Sequence, residues 1–237
     1  MTTISESDVP LFTRGGLLRG ARRTVPIGAA VAVYGTVFGA LAAQAGLSSL
    51  EAVLMSGLVF AGAAQFIALE LWGTPVPIFA LALTALVVNL RHLLMGATLA
   101  SWLRGLPPRR LAASAAFLSD ESWALTTQAQ RSGERDRGFL IGSGFVLFVC
   151  WVGSTAVGAV AGGVIEDPRA LGLDFAFTAV FLVMLVGFWR GRQEVIPWAS
   201  AAGVAIAVEN AVGGPWFIVA GGLTGSILGA WRDRRRS

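Results

Sequence analysis

Ile78-Phe79-Ala80-Leu81-Ala82-Leu83-Thr84-Ala85-Leu86-Val87-Val88-Asn89-Leu90-Arg91-His92-Leu93-Leu94-Met95-Gly96-Ala97-Thr98-Leu99-Ala100-Ser101-Trp102-Leu103 is one apolar run that carries a basic pair, Arg91-His92, near its middle. At about 1.5 Å per helical residue the run is longer than the roughly 30 Å hydrocarbon core of a bilayer. It reads as a membrane helix, and Arg91 then lies at membrane depth. An ionisable side chain there costs about 2.5–3.5 kcal/mol on insertion scales, so it persists only where it is paired or lines a wet cavity. The position points to a transport pathway.

The rest of the chain has the same character. Of 237 residues, 55% are hydrophobic and 14% charged, and the mean hydropathy is +0.69. Soluble domains carry about 25% charged residues, so an ordinary soluble fold is excluded. The net charge of +4 does not mark a nucleic-acid face. All 18 basic residues are arginines, most of them clustered between apolar runs as topology determinants are. Cys150 is the single cysteine and lies inside an apolar run, so it reads as a packing residue.

On a ruler of about 20 apolar residues the candidate spans are 24–47, 51–72, 78–103, 111–130, 138–164, 175–189, 195–212 and 215–231. The expectation is an all-α polytopic membrane protein with about seven or eight transmembrane or re-entrant helices. Residues 24–231 would form one helical transmembrane domain between cytoplasmic basic segments, 1–23 and 232–237. Residues 1–23 lack the continuous apolar stretch of a cleavable signal peptide; they suit a short interfacial helix or a disordered basic tail. Trp72, Trp102, Trp189, Trp216 and Trp231 sit near run ends, as an interfacial aromatic belt requires.

The arginine clusters place both termini in the cytoplasm, with Glu166, Asp167 and Asp174 outside. One conflict arises. Arg104, Arg109 and Arg110 precede run 111–130, while Arg131, Arg135 and Arg137 follow it. A single span cannot hold both groups on one side. Either 111–130 is a broken or re-entrant element that enters and leaves on one side, with another element of the first half compensating, or an eight-span bundle violates the positive-inside bias once. The segments Tyr34-Gly35-Thr36-Val37-Phe38-Gly39-Ala40 and Gly153-Ser154-Thr155-Ala156-Val157-Gly158-Ala159 match weakly, which suggests a two-repeat architecture. Small residues at helix-packing spacing, such as Gly35 with Gly39, Gly158 with Gly162, and Gly221 with Gly225 and Gly229, serve internal packing or, in the last helix, a homo-oligomer interface.

The candidate substrate-binding or coupling residues are Gln65, Asn89, Arg91, His92, Asp120 and Glu121. Arg91, Asp120 and Glu121 would together cost roughly 9 kcal/mol if unpaired in lipid, so they must be paired or hydrated. Arg91 can staple two helices through Asp120 or Glu121. The same groups can instead frame a site for a zwitterion, with arginine receiving a carboxylate, an acid receiving an ammonium, and Leu, Val and Phe around an apolar side chain. His92, the single histidine, is either a proton-coupling group or a hydrogen-bonded structural residue. Gln65 follows the small-residue stretch Phe60-Ala61-Gly62-Ala63-Ala64, where a helix can unwind; its amide holds substrate or bonds a neighbouring helix. Glu209 is a further deep acid.

The sequence holds no His/Cys metal cluster, no Walker-type phosphate loop and no serine elbow with a triad, so neither an enzyme nor a cofactor is expected. Asp120 and Glu121 point about 100° apart on a helix, a poor arrangement for an acid/base pair.

Four segments resemble the AzlC family, the large subunits of branched-chain amino-acid exporters. They are Phe60-Ala61-Gly62-Ala63-Ala64-Gln65-Phe66, Val88-Asn89-Leu90-Arg91-His92-Leu93-Leu94-Met95-Gly96, Phe117-Leu118-Ser119-Asp120-Glu121-Ser122-Trp123-Ala124-Leu125 and Gly172-Leu173-Asp174-Phe175-Ala176-Phe177-Thr178. The resemblance implies an inner-membrane exporter of valine, leucine, isoleucine and sometimes methionine, working with a small hydrophobic AzlD-like partner subunit. It brings no residue roles with it. Together these readings give a secondary transporter subunit of alternating-access type, expected to draw on the proton gradient because no ATP-binding element is present. The rival from another class is an assembly subunit whose partner holds the substrate site.

Overall fold

The computed structural model describes residues 12–73, 75–163, 182, 186, 189, 191–212 and 216–234. The expected span 175–189, apart from three of its residues, and the motif at 172–178 lie outside the described residues, as do Glu166, Asp167 and Asp174. The described elements are all helical, and the protein is an all-α membrane protein. Helices α1 (Arg14–Gln44), α2 (Ser49–Val59), α3 (Gly62–Glu70), α4 (Ile78–Asn89), α5 (Arg91–Leu103), α6 (Pro108–Ala116), α7 (Asp120–Arg131) and α8 (Gly138–Gly162) are followed by a 3-10 turn, Arg192–Glu194. Two more helices, here α9 (Val195–Val212) and α10 (Trp216–Arg234), complete the described set. Among the described residues, four stretches are long and apolar enough to cross a membrane: Arg14–Gln44, Ile78–Leu103, Gly138–Gly162 and Arg192–Val212.

Contacts divide the chain into two units, Met1–Gln65 with Leu90–Glu166, and Phe66–Asn89 with Asp167–Ser237. In the second unit α9 and α10 run antiparallel. Gly221 meets Ala201 and Ala205, and Gly225 meets Ala201 and Pro197, while Gly229 faces open space.

The first unit is organised by α1 and α8. Helix α1 starts at Arg14 because Thr13, in extended backbone, caps it and accepts a hydrogen bond from Gly16 N. Along the α1–α8 contact the facing residues are Gly20 with Phe139, Thr24 with Ser143, Gly35 with Ser154 and Gly39 with Gly158. Both numbers rise together, so the helices are parallel. Thr24 Oγ1 donates to Ser143 Oγ at 2.8 Å across a separation of 119 residues. The other three pairs have the same separation, which also relates the segments at 34–40 and 153–159. The packing is reciprocal as well. A side chain at Gly39 would strike the carbonyl of Thr155, and one at Gly158 the carbonyl of Thr36, the residue 119 positions earlier. Such reciprocity is the mark of a local two-fold axis, here along the helices. The two-repeat expectation thus acquires a geometry, with parallel first helices in contact.

The near end of this pair gathers the arginines. Arg19 Nε donates to Glu134 at 2.8 Å, the Arg110 guanidinium lies 4.5 Å over the Phe12 ring, and Arg137 Nε donates to the carbonyl of Trp102 at 2.8 Å. The start of α1, the α5–α6 corner and the α7–α8 loop therefore share one end of the unit. Helices α6 and α7, of nine and 12 residues, reach only about 14 and 18 Å. Neither spans a bilayer, and together they enter and leave at the same end. Their joint, residues 117–119, packs against the middle of α8, with the Phe117 ring 6.0 Å from Phe145 and 5.9 Å from Phe148. Residues 111–130 thus fold as two short helices joined at 117–119 rather than as one continuous helix, the form a broken element takes.

Candidate functional site

The hairpin joint builds the site. Ser119 ends the turn in extended backbone and caps α7; its Oγ accepts from Ser122 N at 3.2 Å, and Ser119 N donates to Ser122 Oγ at 2.8 Å. This reciprocal box starts α7 abruptly and places Asp120 and Glu121 in its first turn, where the helix dipole favours carboxylates. Facing them, a single turn residue, Leu90, separates α4 from α5 with near-helical dihedrals, φ −54° and ψ −26°. Arg91 follows as the first residue of α5.

Arg91 Nη1 lies 2.8 Å from Asp120 Oδ2, with both side chains about three-quarters out of solvent contact. Of the two acids, Asp120 is the partner; Glu121 Oε2 instead accepts from Ser119 Oγ at 2.9 Å. The 100° rotation between adjacent helical residues explains the division. Arg91 Nε is buried without a partner among the described residues. The pair lies far along both helices from the arginine end. Leu103 and Arg131, the ends of α5 and α7 at the arginine end, are roughly 17 Å along each helix from Arg91 and Asp120.

A second link ties the same two helices. Trp123 Nε1 donates to Thr98 Oγ1 at 2.7 Å, one turn beyond Asp120 and two beyond Arg91. Trp123 also packs against Met95, Leu99, Leu118 and Leu140. Beside this cluster, a cavity of about 310 Å³ opens between α5, α6 and α8, walled by Leu99, Leu103, Leu111, Leu118 and Leu140, with Arg104 at its rim. The Thr98–Trp123 link was not legible in the sequence, since neither residue carries a charge that demands a partner.

The remaining sequence candidates are distributed as follows. His92 is half-buried beside Arg91, and Asn89 is half-buried at the end of α4. Gln65 is fully buried in a different place. Its Nε2 donates to Ser56 Oγ at 3.2 Å, and its Oε1 accepts from Trp151 Nε1 at 3.1 Å and Ala61 N at 3.3 Å. Ser56 in turn bonds Thr155 at 2.9 Å. This network secures the α2–α3 break, where Phe60 adopts the left-handed conformation, φ 43°, rare for a bulky residue. The helix does unwind at the small-residue stretch, and the Gln65 amide bonds neighbouring helices. Glu209 is exposed on α9.

At the arginine end, Asp136 is fully buried and accepts from Thr13 N at 3.1 Å, from Thr13 Oγ1 and from Gly138 N at 2.9 Å. Burial alone would raise its pKa, but these bonds and nearby Arg19 outweigh it and hold the carboxyl below its ordinary range. The Glu134 carboxyl is also lowered, chiefly by its bond from Arg19. Asp136 joins the starts of α1 and α8, and sequence reasoning missed it because an acid in a polar loop looks like any solvated charge. Among the described residues no group of His, Cys, Asp and Glu could hold a metal ion.

The family model for the AzlC protein matches residues 26–165, which include α8, the later part of α1, the hairpin and the Arg91–Asp120 pair. A membrane protein of Archaeoglobus fulgidus is 33% identical over 90% of this chain and 94% of its own. The branched-chain amino acid transport protein AzlC of Bacillus subtilis is 30% identical over 83% of this chain and 77% of its own. The inner membrane protein YgaZ of Escherichia coli is 29% identical over 94% of each. No solved structure matches the chain. The matched range contains the segments at 60–66, 88–96 and 117–125, and with the relatives it shows that the chain belongs to the AzlC family.

Proposed function

We propose that this chain is the large subunit of a secondary transporter that exports branched-chain or similar apolar amino acids across the bacterial inner membrane, driven by the proton gradient and assisted by a small AzlD-like membrane subunit. The observation that supports the reading is the Arg91–Asp120 pair, formed where the tip of the α6–α7 hairpin meets the start of α5. Discontinuous helices meeting near the midplane are a recurrent way to present polar groups to a small solute. In this reading the substrate carboxylate replaces Asp120 on Arg91, and the substrate ammonium replaces Arg91 on Asp120, so that the internal pair and the substrate exchange. The apolar cavity beside α5, α6 and α8 offers room for a branched side chain. Asn89, His92 and Glu121 flank the pair in sequence, with His92 as the proton-coupling group; Gln65 supports the helix break beside α8. The arginine end faces the cytoplasm, together with the basic ends 1–23 and 232–237, which bound the transmembrane domain. No catalysis is assigned.

The test is efflux of labelled leucine from cells preloaded with a leucine dipeptide, expressing this chain, the partner, or both. Efflux accelerated only by the two together, and lost in Asp120→Asn and Arg91→Ala at unchanged membrane abundance, supports the reading. Full efflux in both variants removes the pair from the site. Substrate binding by the partner alone would make this chain an assembly subunit.

A further inference from the structure

A second polar feature lies away from the Arg91–Asp120 pair. Between α1 and the α7–α8 loop runs an open groove of about 680 Å³, walled on one side by Arg19, Arg22 and Arg23 and on the other by Ser132 and Glu134, with Phe139 beneath. Glu134 is committed. It takes two bonds from Arg19, at 2.8 and 3.1 Å, and its own backbone neighbours Arg135 and Asp136 donate to it as well. Arg22 and Arg23 are exposed and have no acidic partner among the described residues. The groove therefore carries two uncompensated positive charges.

What continues from it along α1 identifies the occupant. Helical spacing places Arg22, Pro26, Ala29 and Val33 on one stripe, all exposed, with Val25 and Val33 at 58% and 65%. A basic turn at the membrane end thus runs directly into an exposed apolar stripe on a spanning helix. A free anion would use only the first part of this surface, and a neutral lipid only the second. We infer that the groove and stripe bind an anionic glycerophospholipid, its phosphate against Arg22 and Arg23 and its acyl chains along Val25, Pro26, Ala29 and Val33. The inference is independent of substrate and of transport.

Native mass spectrometry of the full chain in non-ionic detergent, titrated with phosphatidylglycerol or phosphatidylcholine of equal acyl composition, tests it. The expected result is saturable retention of phosphatidylglycerol only, weakened at least about tenfold in R22Q/R23Q and preserved in R22K/R23K, since charge near an anionic headgroup carries the attraction. R104Q/R109Q removes the same charge from the other arginine corner and should retain the lipid as the unaltered chain does. Equal retention of phosphatidylcholine overturns the inference, as does equal loss in R104Q/R109Q. Displacement of the lipid by millimolar inorganic phosphate would make the groove a soluble-anion site and also overturns it.

Discussion

Thr24 and Ser143, separated by 119 residues, share a hydrogen bond of 2.8 Å toward the arginine end of the α1–α8 contact. Each occupies the place in its helix that the other occupies in its own. With Gly39 and Gly158 clasping opposite carbonyls in the same register, the pair forms a symmetric spine from which the hairpin is hung.

The spine leaves no room for a methyl group. Gly39→Ala and Gly158→Ala should each destabilise by about 1–3 kcal/mol through overpacking. Gly57, with open space around its Cβ direction, is the control, and Gly57→Ala should be neutral or stabilising by up to about 1 kcal/mol. Thermal unfolding in detergent separates the three.

Asp136 ties the spine at its base, and its depressed pKa sets a pH dependence. A carboxyl whose folded pKa lies below its unfolded value stabilises above the unfolded pKa, and that contribution fades as pH falls through the folded one. Asp136→Asn should therefore lower the unfolding temperature at pH 7, and the gap to the unaltered chain should narrow as the medium is acidified through and below the ordinary carboxylate range. A gap that widens on acidification would contradict the arrangement.

The Thr98–Trp123 bond joins α5 to the hairpin. Trp123→Phe and Thr98→Val should each cost about 1 kcal/mol, and the double variant should cost little more than either single one, because both remove one bond. Unfolding of the four proteins in parallel gives the coupling energy directly.

Gln65→Leu would strand Trp151 Nε1 and Ala61 N in a buried site. A loss of about 2–6 kcal/mol is expected, from roughly 1–3 kcal/mol for each of the two orphaned groups. Leucine binding measured on the fraction that remains folded should be unchanged.

The hairpin predicts sidedness. In a Cys150→Ala background, Arg109→Cys and Ser132→Cys should react with a membrane-impermeant maleimide in the same one of the two vesicle orientations, inverted or right-side-out. Opposite faces would restore 111–130 as a crossing.

Much of this was legible in the residues. The run at 78–103 gave the membrane class, and the cost of a charge in lipid anticipated that Arg91 would meet Asp120 or Glu121. The arginines on both sides of 111–130 posed a topological question, and the chain folds there as the α6–α7 hairpin. The weak match of 34–40 with 153–159 already held the 119-residue offset. What stayed hidden depended on direction and neighbours. Hydropathy is blind to whether two helices run parallel, so α1 against α8 could not be read, and the bonds of Asp136, Gln65 and Thr98 arise from residues remote in sequence. The start of α1 at Arg14, ahead of the apolar run, follows from the cap at Thr13 and from its tie to Asp136.

The hairpin also bears on how the chain is made. Arg104, Arg109 and Arg110 lie before it and Arg131, Arg135 and Arg137 after it, and a full crossing would oblige the insertion machinery to leave one trio on the far side of the bilayer. With both flanks on one side, only the short helices would have to enter the bilayer, and Asp120 would meet an arginine that precedes it in the chain. Synthesis order and charge placement would then act together, the acid following the partner that receives it.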